Sequence, residues 1–315
     1  MKKSLFMLGL AVAAMTSCSN DELMEVNTNN VITFESHVNK GTRAVTPTDA
    51  NLSSFYVFGN YSTEAAADYA KVAFNNIQVG KNANTGVAWT EGVYRFGAYA
   101  TKNASDKLTK ASYDASVAPH GQLTFTDYEV SQDCDLVAAI ESVDNAPMNN
   151  EQVNLTFKHM LSQVKFKFTN TANGYKMVIT ELNLKNVATK GTCVYNNTGA
   201  SWTPAGTVAT HSYTCDGTRY EFGGAPFTSE SFFVIPDQEF TSITATVNVD
   251  FYDNGGSKVS TKTYNANVQL TDGKKWKAGT IYQYTADISA STQNIVFGVK
   301  EIVDWVNSDP GASLN

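Results

Sequence analysis

VNLTFKHMLSQVKFKF, residues Val153–Phe168, reads as two short strands meeting at a corner. In the first, Val153, Leu155 and Phe157 fall on one face and Asn154, Thr156 and Lys158 on the other. In the second, Val164, Phe166 and Phe168 turn inward, while Lys165 and Lys167 turn to water. A period of two marks half-buried antiparallel sheet, because successive side chains leave a strand on opposite faces. His159, Met160 and Leu161 sit at the join, near the middle of the chain. The stretch is read as the passage between two β-domains, over 31–158 and 159–315.

The same pattern runs outward in both directions. VITFES (Val31–Ser36) is a first strand, with Ile32 and Phe34 on one face and Thr33 and Glu35 on the other. A polar loop follows, broken by Gly41 and Pro47 and carrying Arg43 between Thr42 and Ala44. SSFYVFGNYS (Ser53–Ser62) is a strong strand, and Glu64–Phe74 favours one short helix through its alanines. Gly86–Thr101 predicts a hairpin turning at Glu91-Gly92. In the second half, Tyr175–Val187 alternates cleanly. A longer run holds a hairpin with Asp253-Asn254-Gly255-Gly256 at its tip, residues that tolerate positive φ. Ile295, Phe297 and Val299 alternate near the end. Many short strands with turn signals between them predict an all-β protein of β-sandwich domains.

The chain opens with Lys2 and Lys3, the apolar run LFMLGLAVAAM (Leu5–Met15), then Thr16, Ser17 and Cys18. The run is too short to cross a bilayer, which takes about 20 apolar residues. A basic start, a short apolar stretch and small residues before a cysteine make residues 1–18 a secretory signal of the lipoprotein kind. The segment resembles the bacterial lipobox. That resemblance implies cleavage before Cys18, a diacylglyceryl thioether on its sulfur and acylation of the new amino terminus, for example with palmitate. Several acyl chains anchor firmly where one is marginal. A plain secretory signal with Cys18 as a bystander is the competing reading. Residues 19–30 then form a polar, acidic tether. It resembles the export signal of surface lipoproteins in some Gram-negative bacteria, which implies the outer leaflet of the cell outer membrane.

Net charge is −7, and loss of Lys2 and Lys3 with the leader takes it to −9. An acidic chain lacks the basic footprint that phosphate binding needs, so nucleic acid is excluded as a partner. Cys134, Cys193 and Cys215 remain once Cys18 is assigned to lipid. An odd count excludes a full disulfide framework; Cys193 and Cys215 are a candidate pair, one of three pairings open to three thiols. No Cys-x-x-Cys occurs and the four histidines are scattered, so no metal site or cofactor is predicted. Asp133 and Asp135 flank Cys134 as a carboxylate pair. No histidine has a nucleophile and acid to work with, and no catalytic residue is assigned.

Several stretches taken in order resemble the fimbrillin-like lipoproteins, subunits of type V pili. These are the lipoprotein start, ITFES, Thr42-Arg43-Ala44, LTFKHMLSQVKFKF, FFVIP, WKAGTIYQYTADI and the terminal IVFGVKEIVDW. Together they span nearly all of the mature chain. The resemblance implies two tandem transthyretin-like β-sandwiches and assembly by donor-strand exchange. On that pattern a trypsin-like protease cuts between Arg43 and Ala44. The first strand, with Ile32 and Phe34, is then removed, and a strand of another subunit takes its place. The donor would come from the tail, through Ile295, Phe297 and Val299. The tail equally reads as core of its own domain, with Trp305 inside.

Two functions fit these features. One is a structural, non-enzymatic pilus subunit (stalk, tip or anchor) that polymerises with like or unlike subunits. It would serve adhesion or biofilm formation, with a host or bacterial surface receptor as a candidate partner. The alternative is a monomeric surface lipoprotein that binds glycans, using Trp89, Trp202, Trp276 and Trp305 among its aromatics.

Overall fold

The computed structural model describes residues 30–38, 52–63, 68–101, 107–132, 135–144, 152–215, 217–239, 241–270, 274–289 and 295–304. These form 19 strands, and among the described residues there is no helix. The central stretch is β8 (Val153–His159) followed by β9 (Ser162–Asn170). Val153, Leu155 and Phe157 are buried on β8 with exposed residues between them, and Val164, Phe166 and Phe168 are fully buried on β9. At Met160-Leu161 the chain leaves one sheet for another. The antiparallel expectation holds on one side of each strand only. β8 runs antiparallel to β7 (Leu136–Val143) but parallel to β1 (Phe34–Val38). β9 runs antiparallel to β14 (Phe227–Thr228) and β15 (Phe232–Val234) but parallel to β18 (Thr280–Ile288). Alternation reports a half-buried strand and carries nothing about the direction of its partner.

The first half centres on a six-stranded sheet in the order β1-β8-β7-β4-β2-β3, where β2 is Ser54–Ser62, β3 Lys71–Gly80 and β4 Val93–Thr101. β2 reads Phe55-Tyr56-Val57-Phe58, apolar on both faces, and both faces are covered. One face curls around a core that includes Phe34, Phe55, Phe74, Phe96 and Phe157. The other packs on a four-stranded sheet, β12-β11-β6-β5, through Tyr99, Phe125, Cys193 and Trp202. In that sheet β5 is Ala111–Asp114, β6 Gln122–Glu129, β11 Lys190–Asn196 and β12 Gly199–Pro204. The approach is close: a Cβ on Gly97 of β4 would lie 2.5 Å from the Tyr113 ring.

Two local expectations change. Lys71–Phe74, expected in a helix, belongs to β3 and pairs with β2 at Tyr61↔Lys71, Asn60↔Val72 and Gly59↔Phe74. Residues 64–67 lie outside the described residues. The helix preference of alanine is worth a fraction of a kcal/mol per residue and yields to tertiary pairing. The turn at Glu91-Gly92 leads into β4 as expected, but Val87–Trp89 before it pairs with residues 30–32 instead of with β4.

The second half packs sheet β13-β10-β16-β17 against sheet β14-β9-β18-β19. Here β10 is Lys176–Ala188, β13 Val208–Thr214, β16 Thr244–Tyr252, β17 Lys258–Asn267 and β19 Gly298–Asp304. Phe166, Phe168, Leu182, Trp276 and Tyr284 are fully buried between them. The β16–β17 hairpin turns where the Asp-Asn-Gly-Gly run places it, with Gly256 at φ +84° and Asp253 Oδ1 accepting the Ser257 N–H at 2.8 Å. The β11–β12 hairpin follows the 158/159 boundary in sequence, yet bonds to β6 of the first half.

The corner ties these sheets together. His159 Nδ1 and Asp135 Oδ2 are 2.6 Å apart, and both side chains are buried. The Met160 N–H donates to Leu136 O (2.8 Å), Trp202 Nε1–H to Met160 O (2.7 Å) and the Gly279 N–H to Leu161 O (2.8 Å). Elements far apart in the chain therefore meet at residues 159–161.

Candidate functional site

β1 ends the order of the six-stranded sheet, yet it is bonded on both edges. Phe34–Val38 pairs in parallel with Val153–Phe157, and the Val153 N–H donates to Thr33 O at 2.9 Å. On the opposite edge the strand meets the segment after β3. The Ile32 N–H donates to Val87 O (2.8 Å), the Asn82 N–H to Phe34 O (2.8 Å) and the Trp89 N–H to Asn30 O (2.9 Å). Thr85 Oγ1–H donates to Ile32 O at 2.6 Å. The first strand thus sits in a slot between β8 and residues 82–89.

Its alternation aims every second side chain into the core. Ile32, Phe34 and Ser36 are fully buried and Val38 nearly so. The Phe34 ring meets Phe96 at 5.4 Å and Phe55 at 6.0 Å, both edge-on. Ser36 Oγ–H donates to Leu52 O at 2.9 Å. Outward, Glu35 and His37 pair at 3.3 Å in partial exposure.

Burial of Ile32, Phe34 and Val38 stabilises by about 2 kcal/mol each, and each backbone hydrogen bond adds about 1 kcal/mol net. Residues 39–51 link this strand to the rest of the sheet; they include Arg43 and Ala44 and lie outside the described residues. Withdrawing the strand would open an apolar trough between two rows of unpaired N–H and C=O groups. Another strand with alternating apolar residues is what satisfies such a trough.

The tail is the second element. β19 pairs antiparallel with β18 from Thr285↔Gly298 to Thr280↔Asp304, with an irregularity beside Gln283. Ile295 is buried, and the Phe297 ring lies 5.2 Å from Phe166 and 6.0 Å from Phe168. Val299 is partly buried against the same core. The tail therefore packs in its own half. β19 also ends its sheet order, and Ile302 and Val303 are exposed on it.

The remaining expected site residues separate. Cys18, Cys134, Asp133 and Trp305 lie outside the described residues. The candidate disulfide between Cys193 and Cys215 is not formed. Cys193 is sealed in the core between the six- and four-stranded sheets, while Cys215 packs against the core of the second half. Burial pushes the Cys193 thiol far above the usual cysteine range. Asp135 is spent on His159 and on the Leu136 N–H. Trp89, Trp202 and Trp276 are buried, so these three form no sugar-stacking platform. The inward bond of Ser36 and the pairing of residues 82–89 with the first strand were not expected from the sequence. Ser36 shares the parity of Phe34, which was the available signal; pairing of residue 31 with residue 88 leaves none in the local pattern.

A family model described as fimbrillin-like matches residues 42–305. A fimbrial protein from Bacteroides vulgatus ATCC 8482 has a similar solved structure, with TM-score 0.56 and 16% identity over 87% of this chain and 99% of that one. A candidate cell-adhesion protein from Bacteroides ovatus ATCC 8483 gives TM-score 0.51 and 16% identity over 89% and 99%. At this identity the likeness is one of fold. No curated protein matches the chain.

Proposed function

Since the chain belongs to the fimbrillin-like family of fimbrial structural proteins, we propose that it is a pilus subunit made as a surface lipoprotein and assembled by protease-triggered strand exchange. Lipid on Cys18 holds the precursor at the outer membrane. A trypsin-like protease cuts after Arg43, the first strand leaves its slot, and a strand of another subunit fills it. The tail, through Ile295, Phe297 and Val299, is the donor that this subunit offers onward. The fibre serves adhesion or biofilm formation at the cell surface.

One observation carries this reading: the first strand, over residues 30–38, is bonded on both edges and fills a core with Ile32, Phe34, Ser36 and Val38, while the Arg43 stretch joins it to β2. A strand built in this way is separable by one cut and replaceable by one strand of matching pattern. A second reading rests on the tail. With Ile295 and Phe297 seated in their own core, a subunit that never releases its tail would accept a strand and pass none on, ending the fibre.

N-terminal sequencing of protein sheared from cells, beside an unheated denaturing gel, tests both. A start at Ala44 with a heat-sensitive ladder is expected, and Arg43→Ala should abolish both. An amino terminus blocked by lipid at Cys18 with monomer alone would sink the polymerising reading.

A further inference from the structure

The slot has four inward sites, occupied by Ile32, Phe34, Ser36 and Val38 and at most 4% exposed. Three take apolar side chains. The third differs, because the buried Ser36 hydroxyl donates to Leu52 O at 2.9 Å, and Leu52 is itself buried. A larger aliphatic side chain there would need room and would take that donor away. The slot thus asks, at every second residue, for aliphatic, aromatic, small hydroxyl and aliphatic.

The chain's own tail, IVFGVKEIV over Ile295–Val303, does not supply this order. Alignment of Phe297 on Phe34 places Ile295 well on Ile32, but puts Val299 on Ser36 and Glu301 on Val38. A shift of two residues one way puts Glu301 on the Ser36 site. A shift of two the other way puts Phe297 there and Gln293 on Ile32. The alternate face of the tail brings Lys300 or Asn294 onto a buried site. Each parallel register therefore buries a charge, an amide or an oversized ring on a site that in the first strand takes an aliphatic, an aromatic or a small hydroxyl side chain, and such burial is strongly unfavourable.

Building on the strand-exchange reading, we propose that the slot rejects this chain's own tail and accepts a strand from a non-identical subunit. That strand carries aliphatic, aromatic, serine-sized hydroxyl and aliphatic residues at alternate positions. Consecutive subunits in the fibre are then not two copies of this chain.

The first test needs no exchange. In the full chain, Ser36→Val with Val38→Glu gives the first strand the tail's inward residues and keeps Ile32 and Phe34. The expected result is a fall in Tm of roughly 10 °C; a fall of less than about 2 °C would overturn the proposal. The second test nicks the chain after Arg43 and offers three peptides: residues 31–38, residues 295–303, and the latter with Val299→Ser and Glu301→Val. Capture of the first and third, with the natural tail at least tenfold weaker, is expected. Equal capture of the natural tail would overturn the proposal. Capture of none, with the double variant destabilised, supports rejection of the tail and overturns strand exchange itself.

Discussion

The rings of Phe34 and Phe74 meet edge-on at 5.5 Å, although β1 and β3 stand at opposite ends of the six-strand order. The sheet curls until its two ends share one core, and the first strand sits where the curl closes. That position explains why a strand with only one β-ladder partner is nevertheless bonded on both edges through residues 82–89.

Phe34→Ala should therefore act locally. Removing a buried phenyl ring costs about 3–5 kcal/mol, and the ring here has three aromatic neighbours. Hydrogen exchange should quicken at the amides of Ile32, Asn82, Trp89 and Val153, which bond the strand into its slot. The amides of β16 and β17 should keep their protection. Equal loss in both halves would mean that the strand and the distant sandwich unfold as one unit, and that the slot is not separable.

The corner pair gives a second prediction. Asp135 and His159 are buried and bonded at 2.6 Å, so removing one partner takes a buried hydrogen bond from the other, at a cost of about 1–3 kcal/mol. Asp135 also accepts the Leu136 N–H at 2.8 Å. Asp135→Ala should hence destabilise more than His159→Ala in urea unfolding. The double variant should cost less than the sum of the two singles. Additive losses would show that the pair is not an energetic unit.

How far the sequence reached depends on the kind of contact. β8, β9, β10 and the β16–β17 hairpin were legible because a period of two and an Asp-Asn-Gly-Gly turn are local patterns. The inward face of Ile32 and Phe34 was legible on the same ground. The parallel partners of β8 and β9 were not, since burial alternates alike in either direction. The first strand's second edge was hidden too, because Val31 meets Ala88 across a long chain separation. At Lys71–Phe74 local propensity pointed to helix, and pairing with β2 decided otherwise. Family membership rested on the order of many weak stretches, none of which names the fold by itself.

His211 should make stability pH-dependent. It lies on β13 opposite Leu184, and its buried Nε2 has no hydrogen-bond partner among the described residues. Desolvation lowers its pKa below the usual 6.5. The neutral ring is the form the fold accommodates, so its contribution is full above 6.5 and is lost as pH falls from there through the lower folded pKa. Below the folded pKa both states are protonated and the loss levels off. Unfolding free energy measured across that window should slope upward with pH in the wild type, and the slope should shrink in His211→Gln. An unchanged slope would assign the dependence to other groups.

Thiol chemistry separates the two described cysteines. Cys193 is fully buried, and burial, with the Asp237 carboxylate adding to it, pushes the thiol well above the range where thiolate forms. Thiolate is the reactive species. A thiol reagent added to the native protein should therefore leave Cys193 unmodified and reach it only in denaturant, while the partly exposed Cys215 reacts sooner. Peptide mapping without reduction should recover no Cys193–Cys215 cross-link. Trapping that cross-link from native protein would require the cores of the two halves to come apart, since Cys193 packs with Phe125 and Trp202 and Cys215 against the other sandwich. Its appearance under native conditions would overturn the assignment of these residues to separate cores.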